Sequence, residues 1–439
     1  MKSNNFKENS ITLWGAVGLG TGVMFGAAIF SVVGQVAEIA GSYFPFSYVI
    51  GALVAGLSSY SYIKMSQQYP SAGGIATFLV KIYGKTTVAV SSSLLMAISM
   101  IIAQSLVART FGVYTMQIFD IGPDHWLISV LAVGLLVFAY IINRLRNDFI
   151  QTFTSTISLI KIIGIIVFSF AALKASQFST TGLNLFEISK TSDVNSFSFT
   201  ASIALSLLSF KGFTTISNSG DEIVEPKKNI GRAIIISISL LAVIYVFLTW
   251  AVSSSLTINE IVAAKDYSLA EAARPSLGTY GVWFTIGIAI LATVTVAIAG
   301  IFAVSRMTTM LTEMNLIPHS HLGMKGTIHR HMLFYIVIIG ITLTVVFDIS
   351  RIASMGATFY IVMDIILQYG ILKNIKKEIG AKAPIVIASI ILDLIVLTAF
   401  IWYKLKVDPF IIIISFASIV IIFVGETIFL KKFSEINAN

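Results

Sequence analysis

Residues 14–30 read Trp14-Gly-Ala-Val-Gly-Leu-Gly-Thr-Gly-Val-Met-Phe-Gly-Ala-Ala-Ile-Phe30. The run is apolar enough to lie in a bilayer, yet Gly18, Gly20, Gly22 and Gly26 punctuate it. Five apolar segments later, Ser206-Leu-Leu-Ser-Phe-Lys-Gly-Phe213 interrupts a second run at mid-span. Backbone freed from a helix inside hydrocarbon has no water to bond, so such a break survives only where protein or a cavity covers it. A matched pair of interrupted segments is the strongest sequence pointer to a substrate site at the bilayer midplane. The small-residue spacing Gly18-xxx-Gly22-xxx-Gly26 is also a helix-packing pattern. Packing does not account for the second stretch, where Gly212 stands among bulky neighbours.

The rest of the chain agrees with a membrane setting. Of its 439 residues 56% are hydrophobic and only 11% charged. A span needs about 20 apolar residues. Twelve candidates fit: 12–35, 44–66, 88–117, 126–143, 150–174, 196–218, 233–255, 280–310, 332–348, 352–371, 384–403 and 409–430. The polar first ten residues and the glycine-broken run behind them do not read as a cleavable signal. The net charge of +8 sorts by loop: with the N-terminus inside, 18 basic residues fall on the cytoplasmic side and 7 outside. The positive-inside rule therefore predicts both termini in the cytoplasm and accounts for the charge without a nucleic-acid partner.

The absence of cysteine excludes disulfides and thiolate metal sites. His319, His321, His329 and His331 crowd one polar loop with no acidic or thiol partner, which reads as a solvated cytoplasmic segment; no metal and no cofactor are expected. Outside, Thr257 with Glu260 three residues on forms a capping box that predicts a short lid-like helix. After the sixth span, Asp221, Glu222 and Glu225 precede Pro226 and the basic Lys227, Lys228 and Arg232, a pattern for an inner salt-bridge latch or a plain helix stop.

Several ionisable residues sit inside apolar runs, and four of them lie far enough from the ends to be functional candidates by default. Lys161 is too far from either end of its span for its stem to carry the ammonium to the interface. It suits proton exchange, or a structural cation held by carbonyls. Lys211 lies in the second break itself, where it can face a substrate, cap freed carbonyls or point into an inner vestibule. Asp364 lies in a core span as a proton or gating group, with Arg109 or Lys211 as partner; Asp393, in a peripheral span, suits packing or an oligomer contact. No cluster of ligand-spaced His, Asp or Glu lies within a span, so an enzyme is not expected, and isolated polar residues do not line a continuous channel.

Gly20-Thr-Gly-Val-Met-Phe-Gly-Ala-Ala-Ile-Phe30 resembles the first-span signature of the amino acid–polyamine–organocation (APC) superfamily, and Glu222-Ile-Val-Glu-Pro-Lys-Lys-Asn-Ile-Gly-Arg-Ala-Ile234 resembles the loop after its sixth span. The resemblance implies an all-α integral membrane protein with a LeuT-type 5+5 inverted repeat. Spans 1–5 would fall in residues 1–174, spans 6–10 in 196–371 and two appended spans in 384–430. It implies a secondary transporter of the cell membrane that carries an amino acid or related solute by alternating access; the oligomeric state stays open. By the same resemblance, backbone amides at Gly26, Ala27 and Ala28, leading into Ile29, would hold a carboxylate, and carbonyls at Met24, Leu208 and Phe210 an amine. Ala27-Ala28 replaces the family's usual hydroxyl residue and glycine, which leaves backbone donors alone. Lys161 is similar to the fifth-span lysine of proton-coupled members, where an ammonium replaces sodium. Its implied neighbours are Gly22, Phe25, Ala292, Thr293 and Thr295, and protons the coupling ion. Lys211 departs from the family's apolar residue and admits an anionic substrate, while an uncoupled exchanger is a further alternative.

Overall fold

The computed structural model describes residues 10–71, 73–144, 147–179, 183, 194–314, 316–317 and 327–438. His319 and His321 lie outside the described residues. The chain is a bundle of helices: α1 (Leu13–Met24), α2 (Ala27–Ala40), α3 (Phe44–Gln68), α4 (Gly74–Tyr83), α5 (Thr87–Met116), α6 (Leu127–Asn143), α7 (Asn147–Ala175) and α8 (Ser196–Phe210). The second half continues with α9 (Phe213–Ser217), α10 (Pro226–Ser255), α11 (Ile258–Ala263), α12 (Ser268–Glu313), α13 (Ile328–Val346), α14 (Ile349–Gly370), α15 (Ala383–Val407) and α16 (Pro409–Ala438).

Among the described residues eight helices are long and apolar enough to cross a bilayer, and Leu13–Met24, Gly74–Tyr83, Leu127–Asn143 and Ser196–Phe210 are shorter apolar helices. This is a multi-pass membrane protein. Large apolar side chains such as Leu159, Phe170, Val243, Ile391 and Ile421 point outward. Such a surface belongs against lipid rather than water. At the centre, α5 is the most enclosed span and packs against α12, α14 and α6.

Helix ends follow local chemistry. Thr12 accepts from Gly15 N–H at 3.2 Å, Asn195 from Ser198 N–H at 2.8 Å and Asp348 from Arg351 N–H at 2.8 Å, each satisfying an amide that lacks an intrahelical partner. The capping box of Thr257 and Glu260 is present, and it opens α11. Behind it, α12 starts earlier than the polar composition suggested: a helical stretch from Ser268 runs to a kink at Gly278 (φ 60°), beyond which the membrane-crossing part begins. The left-handed dihedral is why glycine is needed there.

The short helix α11 and the turn after it rest on α2. Gly34 sits so close to the Lys265 backbone that a Cβ would approach its Cα to 2.3 Å. Around that seat the Lys265 ammonium pairs with Glu38 at 2.7 Å, and Gln35 Nε2 donates to Asp266 Oδ1 at 2.6 Å. Burial pushes the Asp266 carboxyl up to about 6 from its ordinary 3.8. A raised acid pKa means the seated segment binds the proton more tightly than the solvated chain does. The seated form is therefore favoured fully below about pH 4 and loses that preference as pH rises through about 6. Amide exchange in residues 257–267, corrected for intrinsic rate, is expected to speed up between pH 4.5 and 7 by roughly 25-fold. Asp266→Asn should flatten that dependence; equal pH dependence in the variant would rule the mechanism out.

Candidate functional site between the two interruptions

The first interruption is a true break. Phe25 N–H closes α1 on Thr21 O at 2.7 Å. Gly26 then adopts extended dihedrals (φ −100°, ψ −154°) before α2 starts at Ala27. No side chain caps α2, which leaves the amides of its first turn for another acceptor. A Cβ at Gly26 would lie 2.7 Å from Val23 O and 3.0 Å from Val296, so the break is also a point of close packing.

The second interruption is milder than the sequence suggested. Lys211 and Gly212 keep right-handed helical dihedrals. The chain tightens instead of unwinding: Thr214 N–H bonds Lys211 O at 3.2 Å and Thr215 N–H bonds Gly212 O at 3.1 Å, three residues apart. Leu208 O accepts a long bond from Lys211 N–H at 3.4 Å. The tight turn lets the two interruptions touch, because a Cβ on Gly212 would meet Met24 N at 2.5 Å.

A residue not singled out from sequence joins them. Tyr245 of α10 reaches Met24 O at 2.7 Å and Ser209 O at 3.2 Å with its hydroxyl, while its ring packs on Phe25, Tyr48 and Phe210. The available signal was a phenol in the middle of an apolar span, which needs a polar partner once buried.

Beside the breaks lies a cavity of about 100 Å³, lined by Val23 and Ala28 of the first break, Leu208, Lys211, Gly212 and Thr215 of the second, and by Gln104, Val296, Gly300 and Gly356. Roughly 10–15 Å³ on this measure holds one water, so a small organic solute is accommodated. Lys211 is the one lysine or arginine on this lining. Its ammonium bonds Ser99 Oγ at 2.5 Å and Ser99 O at 3.4 Å and stands 5.2 Å from the centre of the Tyr360 ring. It therefore leans on α5 and α14 and does not cap the carbonyls of its own interrupted helix. Gln104 was also missed; its Oε1 is buried without a donor, a cue visible only once Gly300 and α5 are seen to meet.

Lys161 is fully buried, with Nζ 3.1 Å from Gly22 O and 3.3 Å from Thr295 Oγ1. Gly22 O belongs to the last turn of α1, where the break removes the ordinary i+4 donor. No ion pair found among the described residues involves Lys161. Of its other expected neighbours, Thr293 donates within its own helix, to Ala289 O at 2.8 Å, and no bond links Lys161 to Phe25 or Ala292.

Two partner assignments are corrected. Arg109 bonds Ser129 Oγ and Thr344 O, and Lys211 is held by Ser99, so neither partners Asp364. Asp364 instead takes donors from α3. Likewise Glu222 of the inner loop pairs at 2.7 Å with Arg306 of α12, not with the basic run that follows it; Glu225 and Lys228 form only a short exposed pair. The basic run starts α10 while Asp221 and Glu222 lie in the turn before it, and the partner that closes on Glu222 comes from a different helix.

The model of a family described as amino acid permease matches residues 11–431. The chain is 28% identical over 426 residues, 96% of its own length and 95% of the relative's, to an uncharacterized protein of Methanocaldococcus jannaschii. It is 25% identical over 402 residues, 91% of each chain, to the inner membrane transport protein YbaT of Escherichia coli. It is 27% identical over 285 residues, 63% of this chain and 62% of the other, to the serine/threonine exchanger SteT of Bacillus subtilis.

Proposed function

Since the chain belongs to the amino acid permease family, we propose that it is a proton-coupled carrier of a small amino acid or close relative, working by alternating access in the cell membrane. The family and its relatives are transporters, not enzymes. Both termini are taken as cytoplasmic, and residues 1–174 and 196–371 as inverted repeats with 384–430 appended. A substrate carboxylate would sit on the amides of Gly26, Ala27 and Ala28, flanked by Ile29. Its amine would displace the Tyr245 hydroxyl from Met24 O and meet the Leu208 and Phe210 carbonyls. Its side chain would face Lys211 and Gln104.

The observation that carries the coupling is the Lys161 ammonium held between the broken end of α1 and α12. A fixed cation there repels sodium, and losing its proton would weaken both contacts, since bonds from a charged donor are the stronger ones. In proteoliposomes, uptake of the transported amino acid is expected to acidify the lumen and to ignore sodium. Uptake that requires sodium and leaves lumenal pH unchanged would overturn the reading. Lys211 on the cavity wall favours a second reading, an acidic or anionic substrate. A thermal-shift screen with amino acids, amines and organic acids at two pH values separates the two. The exchanger named among the relatives supports uncoupled exchange as the remaining alternative; flux only into preloaded vesicles would establish it.

A further inference from the structure

Away from the cavity, α14 and α15 each bury a carboxylate in mid-membrane, and the two meet. Asp364 is 1% exposed and Asp393 2%. Ser58 Oγ donates to Asp364 Oδ2 at 2.5 Å and Tyr62 Oη to Asp364 Oδ1 at 2.8 Å. Gln368 Nε2 is wedged between the two acids, 3.0 Å from Asp364 Oδ2 and 2.8 Å from Asp393 Oδ2. Bonded to one nitrogen, the two Oδ2 atoms lie within about 6 Å of each other. No ion pair found among the described residues involves either acid.

Two uncompensated negative charges at this separation in a low-dielectric interior are prohibitively costly, and carboxyl pairs so placed hold one proton between them.

We propose that Asp364 and Asp393 form a second proton-binding site, separate from Lys161, in which one proton is shared across α14 and α15. The groups facing it are Ser58 and Tyr62 from α3 and Tyr360 and Gln368 from α14. Lys211, at the end of α8, reaches it only through the Tyr360 ring. The site is wired to the second interruption: the Tyr62 ring packs edge-on to Phe213 at 5.2 Å, and Tyr360, one helical turn before Asp364, lies under the Lys211 ammonium. Gain or loss of the shared proton changes the charge against which Tyr62 donates, and so bears on the turn that holds Lys211. The site does not depend on which solute is carried.

Difference infrared spectroscopy of the purified full-length protein reads this directly. The wild type is expected to show a protonated carboxyl band that persists into alkaline pH, because the proton is held by two acids. In Asp364→Asn and in Asp393→Asn the neighbouring charge is gone, and the band is expected to vanish at a pH at least one unit lower in both. Tyr62→Phe keeps both carboxyls and should move the band frequency, which serves if an Asn variant does not fold. A titration unchanged by either Asn substitution, or changed by only one, overturns the shared proton. So does a wild-type band that appears only when sodium or potassium is withdrawn, since the site would then hold a metal cation.

Discussion

Lys161→Ala is expected to abolish concentrative uptake while leaving substrate binding within a few-fold of wild type. One coupled proton under a one-unit pH gradient is worth about 1.4 kcal/mol, or about tenfold accumulation. The variant should let substrate equilibrate and stop at a ratio of one. The ammonium bonds Gly22 O and Thr295 Oγ1, and neither residue lines the cavity, so the loss falls on coupling and not on affinity. Removal leaves Gly22 O without its donor, a cost of about 1–3 kcal/mol that should lower the melting temperature modestly. Lys161→Arg separates charge from proton exchange: guanidinium keeps its proton, so uptake should fail although the cation is retained. Accumulation against a gradient by the alanine variant would refute Lys161 as the coupling group.

The second large effect is expected at Gly212. A Cβ there would lie 2.5 Å from Met24 N and 3.0 Å from Met24 Cα, against backbone that has nowhere to go. Gly212→Val must therefore push the two interruptions apart. Overpacking of this kind costs about 1–3 kcal/mol, and it also spoils the Tyr245 bridge between Met24 O and Ser209 O. Uptake at background with a melting temperature several degrees lower is the expected result, measured on detergent-purified protein and in vesicles. Near-normal uptake would mean that the contact between the breaks is incidental.

The first break was legible because glycines report on the backbone around them. The two contacts of Lys161, Gly22 O and Thr295 Oγ1, fall on residues that only the family resemblance had named. Reading failed where the answer depended on rotation about a helix axis. Asp364 and Asp393 are 29 positions apart on different helices, and nothing in either run says that both turn toward Gln368. That geometry replaced a proposed ion pair with a carboxyl pair. The second break was over-read for a different reason: Gly212 signals close approach as well as unwinding, and here it serves approach. The inner latch was placed on its neighbours in sequence, whereas Arg306 lies 84 residues from Glu222.

The two interrupted segments are tied at one end as well as in their middles. Ile11, just before α1, forms a β-bridge with Ile223 beyond α9, closed by Ile11 N–H to Glu222 O at 2.8 Å and Val224 N–H to Ile11 O at 2.9 Å. With the Met24–Gly212 contact this makes two fixed points on the same pair of segments. A pair joined at two points cannot scissor. Residues 11–24 and 213–223 are thereby held as a single lever, and any movement of that lever away from α12 has to break the Arg306–Glu222 pair.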